Sequence, residues 1–266
     1  MRTYHDLPGP DRSGLLEQIT AQRRRVAERL AEVRQIVAVM SGKGGVGKSY
    51  VTAHLARALA RSGRPTGVLD ADLNGPTIPS LLGAPHTPIP KSRAIEPAVG
   101  SDGVKCISMA HLLDDGAPLV FRGPSADSFV WRGAMEAAAL REFLADVAWG
   151  SLDVLLLDLP PGMQRYIELC DLLGEAPPVL TVTIPTPESR DAVRRSMRAA
   201  VDRGSQLRGI VENMVGPQFS GRAADELAQE FATHVLARIP WHPGPELWDK
   251  LATRIAQTRR PTAHAP

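Results

Sequence analysis

Lysine and cysteine are both scarce in this 266-residue chain. Only Lys43, Lys48, Lys91, Lys105 and Lys250 break a basic complement of 31 residues that is otherwise arginine. Arginine clusters therefore reflect a bias of the whole sequence and carry little functional weight one by one. Two cysteines, Cys106 and Cys170, exclude a disulfide framework and cannot complete a four-cysteine metal site within one chain. An excess of one charge is lacking too: the formal net charge of +2 is too balanced to argue by itself for nucleic acid or an anionic membrane. No apolar run approaches the roughly 20 residues of a membrane span. The stretch Met1 to Asp6 lacks the apolar region of a secretory signal, so a cytoplasmic protein is expected. What remains, 43% hydrophobic and 23% charged residues, is an ordinary globular composition with length enough for a sizeable core.

Glycine, by contrast, is concentrated where it has a use. Gly42-Lys43-Gly44-Gly45-Val46-Gly47-Lys48-Ser49 matches the phosphate-binding loop G-x-x-x-x-G-K-[ST] at every specified position. Glycines let the backbone turn tightly and aim N–H groups inward, Lys48 reaches the β- and γ-phosphates, and the Ser49 hydroxyl ligates Mg²⁺. The context is the one the motif needs: Ile36 to Met40 is a short apolar run before it, and Ser49 to Arg61 reads as a helix after it. The phosphate would sit on that helix N-terminus.

Around the loop, strand and helix signals alternate. An amphipathic helix is predicted between Asp11 and Val33, with Leu15, Leu16, Ile19, Val26, Leu30 and Val33 at helical spacing and Arg23-Arg24-Arg25 among its polar positions. Packing on the domain is the favoured reading of that helix, a membrane-surface or partner helix the other. Strands are predicted at 66–69, 104–109, 153–158, 179–184, 207–211 and 235–239. Helices are predicted at 133–147, 165–173, 188–203, 223–231 and 246–256. Residues 75–103, rich in proline and glycine, read as an ordered surface excursion rather than a helix. Such alternation implies an α/β fold: a doubly wound, mainly parallel sheet with helices on both faces. We divide the chain into an N-terminal lead-in and helix (1–33), one phosphate-loop ATPase domain (34–258) and a disordered tail (259–266).

Two strand ends carry carboxylates. Asp158 follows Val154-Leu155-Leu156-Leu157, the place from which a phosphate-loop protein holds Mg²⁺. Pro160-Pro161-Gly162 beside it makes a stiff turn suited to sensing the γ-phosphate. Asp70 and Asp72 close the strand at 66–69; Asp72 is the candidate for orienting the attacking water and Asp70 for supporting Mg²⁺. An Asx turn at a strand end would leave the same pattern.

Together these residues resemble the deviant phosphate-loop ATPases of the MinD/ParA superfamily, and within it the Mrp/ApbC family of iron-sulfur carrier ATPases. The resemblance spans roughly residues 34 to 255, in ordered blocks: Ile36-Val37-Ala38-Val39 with Ser41 to Ser49; Leu69-Asp70-Ala71-Asp72 with Gly75 to Pro79; Arg122-Gly123-Pro124; Trp149-Gly150 with Asp153; Asp158 to Gly162; Gly209 to Met214; and Ile239-Pro240. It implies an ATP- and Mg²⁺-dependent homodimer in which Lys43 reaches the partner's nucleotide and Lys48 its own. It further implies that Asn213 reads the adenine edge and that Pro240 flanks the base. With Gly42, Gly44, Gly45, Val46, Gly47, Lys48 and Ser49 these complete the nucleotide contacts; Ser49, Asp70 and Asp158 are the metal candidates, and Lys43, Lys48 and Asp72 the catalytic ones.

The chain departs from the family in two places. Carriers resemble Asn-Met followed closely by a Cys-x-x-Cys pair, which joins its dimer mate to hold the cluster. Here Asn213-Met214 runs on to Val215-Gly216-Pro217-Gln218-Phe219-Ser220 without cysteine, and the place where four thiolates would gather is vacant. After Pro160-Pro161-Gly162 the family continues Thr-Gly-Asp, and this chain has Met163-Gln164-Arg165. A milder change puts Tyr50 where the family has threonine. The resulting expectation is an ATPase switch that has lost the cluster site and acts on a protein partner. Its alternatives are a true iron-sulfur assembly protein with ligands from elsewhere, and a MinD/ParA-like organiser on membrane or DNA.

Overall fold

The computed structural model describes residues 15–72, 75–84, 89–91, 94–112, 128–219 and 221–257. The Arg122-Gly123-Pro124 block, the lead-in before residue 15 and the tail at 259–266 lie outside the described residues. The elements in order are α1 (Leu15–Arg29), β1 (Ile36–Ser41), α2 (Lys48–Arg61), β2 (Thr66–Asp70), α3 (Ile78–Leu82), β3 (Ile89–Lys91), β4 (Ala94–Glu96), β5 (Ala98–Val99), β6 (Lys105–Ser108), α4 (Ser128–Asp146), β7 (Val154–Asp158), α5 (Gln164–Leu173), β8 (Val179–Thr183), α6 (Pro187–Asp202), β9 (Leu207–Val215), α7 (Ala223–Glu230), β10 (Val235–Pro240) and α8 (Pro245–Gln257).

Eight strands form one sheet in the order β10-β9-β8-β1-β7-β2-β6-β5. All neighbours run parallel except β5 against β6. The sheet is parallel because its strands are joined by helical crossovers, and it is buried on both faces, which is why β1 and β7 read as short apolar runs rather than alternating ones. Val37, Val39, Val68 and Leu156 face one core with α2 and α8; Ala38, Met40, Leu69, Leu155 and Leu157 face the other with α4 and α5. The expected doubly wound α/β fold is what the chain adopts.

Two expectations are corrected. First, the excursion at 75–103 contains a helix, α3, with Ile78 and Leu82 fully buried; Pro79 stands in its first turn, where a missing N–H costs nothing, and Gly83 ends it in a left-handed conformation at φ 59°. The same stretch adds the β3–β4 hairpin and the edge strand β5. Second, β9 runs four residues beyond its expected end at Val211, because polar Glu212 and Asn213 are buried and satisfied: Arg238 pairs with Glu212 at 3.1 Å and the Ala224 N–H donates to it at 3.2 Å. The favoured reading of the N-terminal helix, packing on the domain, agrees with the structure: Val26 of α1 packs into the core, as do Leu30 and Val33 just beyond the helix, while Ile19 stays 40% exposed. The helix lies against α4, where Arg25 pairs with Asp146.

Candidate nucleotide and metal site

Strand β1 lies in the middle of the sheet, and the glycine loop leaves its C-terminal end to open α2 at Lys48. Two of the glycines have physical necessities. A Cβ at Gly42 would overlap the main chain of Ala192 and Val193 on α6. Gly47, the residue before α2, sits at φ 77°, and a Cβ there would overlap the Asn213 amide.

Asp158, fully buried at the end of β7, gathers the working groups. Its Oδ2 takes the Lys48 ammonium at 2.7 Å and the Ser49 hydroxyl at 2.6 Å; its Oδ1 takes the Thr52 hydroxyl at 2.7 Å. Lys48 is itself only 6% exposed, so this ion pair operates in a low local dielectric where geometry and full hydrogen bonding decide its worth. Asp70 ends β2 directly opposite Asp158 in the register. It accepts N–H bonds from Asp72 at 3.1 Å and Ile78 at 3.2 Å and the Ser108 hydroxyl at 3.2 Å. Burial, and then the charge of Asp158, push the Asp70 carboxyl up to about 7, against the lowering by Ile78 and Asp72 N–H groups and Lys48.

The remaining sequence candidates fall around this centre. Asp72 is half-buried and donates its N–H to Asp70. The half-buried Lys43, its carbonyl accepting the Ser41 hydroxyl at 3.0 Å, lies within electrostatic reach of Glu188. That carboxyl is lowered by its own N–H, then by the Thr186 hydroxyl, and in smaller part by Lys43. Gly44 and Gly45 are exposed and Val46 buried. The Pro160-Pro161-Gly162 turn lies against the loop: the Gly162 N–H reaches the Ser41 carbonyl at 3.4 Å. After Met163, Gln164 and Arg165 open α5, with Arg165 paired to Glu168.

Asn213 is buried and its side-chain amide donates to the Val46 carbonyl at 2.9 Å. The structure thus places it as a strap on the loop, whatever it also offers a base. Pro240 is exposed at the end of β10, paired with Val215 of β9. Two supporting residues were not singled out from the sequence. Thr52 lies one helical turn after Lys48, and that spacing is the only signal it gives. Ser108 ends β6 as Asp70 ends β2 and Asp158 ends β7, and the shared strand-end position could have marked it.

The donors converging here, a hydroxyl and two carboxylates, are hard oxygens of the kind Mg²⁺ takes. A buried lysine at a helix N-terminus beside them makes an anion site that suits a polyphosphate.

Comparison with known proteins agrees with this geometry. Residues 32–130 and 124–258 match the ParA family model, described as NUBPL iron-transfer P-loop NTPase. The chain belongs to this family. It is 36% identical over 244 residues to the iron-sulfur cluster carrier protein of Methanocaldococcus jannaschii, covering 87% of this chain and 80% of that one. To the cytosolic Fe-S cluster assembly factor CFD1 of Yarrowia lipolytica it is 38% identical over 232 residues, covering 80% and 76%. Among solved structures, a nucleotide-binding protein from Archaeoglobus fulgidus in complex with ADP superposes with a TM-score of 0.67 at 30% identity, over 90% of this chain and 94% of that one. The cell division ATPase MinD of Pyrococcus furiosus shares the fold, with a TM-score of 0.59 at 20% identity over 84% and 98%. The iron-sulfur carrier P-loop NTPases of the ParA family are therefore the family in which the site is read.

Proposed function

We propose that this family member binds ATP with Mg²⁺ and hydrolyses it as a homodimeric switch that acts on a protein partner and lacks the usual cluster ligands. The observation that carries the first part is the convergence of Lys48, Ser49 and Thr52 on Asp158, with Asp70 in register beside it. Lys48 would hold the β- and γ-phosphates against the N–H groups of the loop, and Gly162 would present its turn to the γ-phosphate. Asp72 remains the candidate for orienting water. Mg²⁺, held by Ser49 with Asp158 and Asp70, would draw charge from the transferring phosphoryl group. Lys43, in a loop closed on α6, would act across a dimer on the nucleotide of the second subunit. Asn213 and Pro240 would border the adenine.

Support for the missing cargo site comes from the thiols. Cys106 on β6 and Cys170 on α5 are both buried. Burial, helped by the Asp70 charge, pushes the Cys106 thiol up to about 12, away from the thiolate that metals bind. The segment from Met214 to Phe219 contains no cysteine. The relatives named as carriers nonetheless make cluster assembly through other ligands the second reading.

Two measurements on the full chain test these statements. Phosphate release from ATP that requires Mg²⁺ and is lost in Lys48→Ala supports the switch; a wild type that releases none with Mg²⁺, at any protein concentration spanning dimer formation, overturns it. Anaerobic reconstitution with iron and sulfide is expected to leave no stable chromophore. A cluster retained through gel filtration at one per dimer would establish the second reading.

A further inference from the structure

Strand order fixes which way a nucleotide must lie. The loop leaves β1; Asp158 and Asp70 stand on β7 and β2, both on one side of it. The metal end of a polyphosphate belongs on that side, which sends the ribose and base toward β8, β9 and β10. With strands about 4.8 Å apart, the ends of β9 and β10 lie roughly 10–14 Å from β1.

An aromatic surface stands there. Of the four exposed large hydrophobic residues among those described, Ile19, Val99, Val201 and Trp241, only Trp241 is aromatic, and it is 50% exposed. It follows Pro240 directly and stacks on Phe219, with ring centroids 6.4 Å apart and planes inclined by 20°, within the range of attractive aromatic pairs. Phe219 is half-buried and packs on the core together with Met214. The turn beneath is tight: Gly216 bridges Phe219, and a Cβ at Gly216 would come within 3.4 Å of the Trp241 ring. At the other end of this turn Met214, at φ 57°, brings its methyl to 3.4 Å from where a Cβ of Gly47 would stand. A continuous run of contacts thus joins the loop to the aromatic pair.

We propose that Trp241, braced by Phe219, is the stacking platform for the purine of the bound nucleotide. The inference rests on the glycine loop being a nucleotide site. Indole and phenyl faces bind a base through its π-surface, so they select a nucleobase over none and purines over pyrimidines by stacking area, while hydrogen bonding from elsewhere would separate adenine from guanine. Half-exposure of the indole is what such a platform needs, and a rigid, glycine-backed turn holds it in place.

The test compares ATP with inorganic tripolyphosphate, each with Mg²⁺, on the full chain by calorimetry. Trp241→Ala is expected to weaken ATP on the order of 10-fold and to leave tripolyphosphate unchanged, and Trp241→Phe to restore most of the loss. Equal ATP affinity in wild type and Trp241→Ala would overturn the platform. If that variant instead lost self-association with ATP affinity intact, the pair would be an intersubunit contact and the platform again overturned. A wild type that binds neither ligand defeats the nucleotide reading itself, and the platform with it; one that binds both equally defeats only the platform.

Discussion

Asp70 and Asp158 are the last residues of adjacent parallel strands and face each other in register, Asp70 on β2 and Asp158 on β7. They are not equivalent. Asp158 is matched by a lysine and two hydroxyls, whereas Asp70 is held by two N–H groups and one hydroxyl and, among the described residues, has no ion-pair partner. Asp158 thus finds its counter-charge within the chain, whereas Asp70, buried beside the charge of Asp158, keeps its proton up to about pH 7.

The raised Asp70 carboxyl sets a pH dependence. Between about pH 4, where an unfolded aspartate titrates, and about pH 7 the folded chain keeps a proton that the unfolded chain has lost. The stabilisation from that proton is complete below the unfolded value and is lost as pH rises through the folded one. Asp70→Asn removes this loss. Its unfolding free energy from urea titration should therefore gain on that of wild type between pH 5 and pH 8, by an amount on the order of a few kcal/mol; a difference that does not change with pH would contradict the assignment.

Thr52→Val strips one donor from buried Asp158 while keeping shape. A hydrogen bond to a charged group of this kind is worth roughly 1.5–3 kcal/mol, and that loss should appear in denaturant unfolding of the free protein. Binding of ATP should fall far less than in Lys48→Ala, since Thr52 touches the carboxylate and not the phosphate. Full stability in Thr52→Val would mean that the bond contributes nothing.

The two loop lysines should separate. Lys48→Ala is expected to abolish nucleotide binding nearly completely. Lys43→Ala should bind ATP normally and hydrolyse it roughly 10²-fold more slowly, as for other groups that stabilise charge in the transition state. Identical turnover in Lys43→Ala and wild type would exclude a catalytic part for that residue.

Asn213→Ala distinguishes a strap from a base reader. Loss of the bond to the Val46 carbonyl should loosen the loop and weaken tripolyphosphate along with ATP. An effect confined to ATP would instead mark Asn213 as a contact to the base alone.

Much of the fold and of the site is legible in the sequence. β1 and β7 announce themselves as short apolar runs, because a parallel sheet buried on both faces gives them no reason to alternate, and the aspartates emerge where burial stops. The loop is legible because its backbone geometry admits few sequences. Thr52 was not, since its role depends on which face of α2 turns to β7, and periodicity alone does not choose between faces. The end of β9 was hidden for a related reason: Glu212 reads as a polar stop until Arg238 on β10 and the Ala224 N–H on α7 are seen to satisfy it. Helix α3 was masked by Pro79 and Gly83, two residues that break a helix in its middle and suit its ends.

Gly42 adds something about the motif itself. Its backbone is not in the left-handed region occupied by Gly45 and Gly47, and a side chain there would run into the backbone of α6. The first glycine of the consensus is thus a clearance requirement between loop and helix, set by a segment some 150 residues away in sequence. Grafted onto a scaffold without an α6, the same loop would accept alanine at this position; in this chain, alanine at 42 would have to displace α6, and with it the arginine ladder of Arg190, Arg194 and Arg198 that binds α6 to α7 through Glu226 and Glu230.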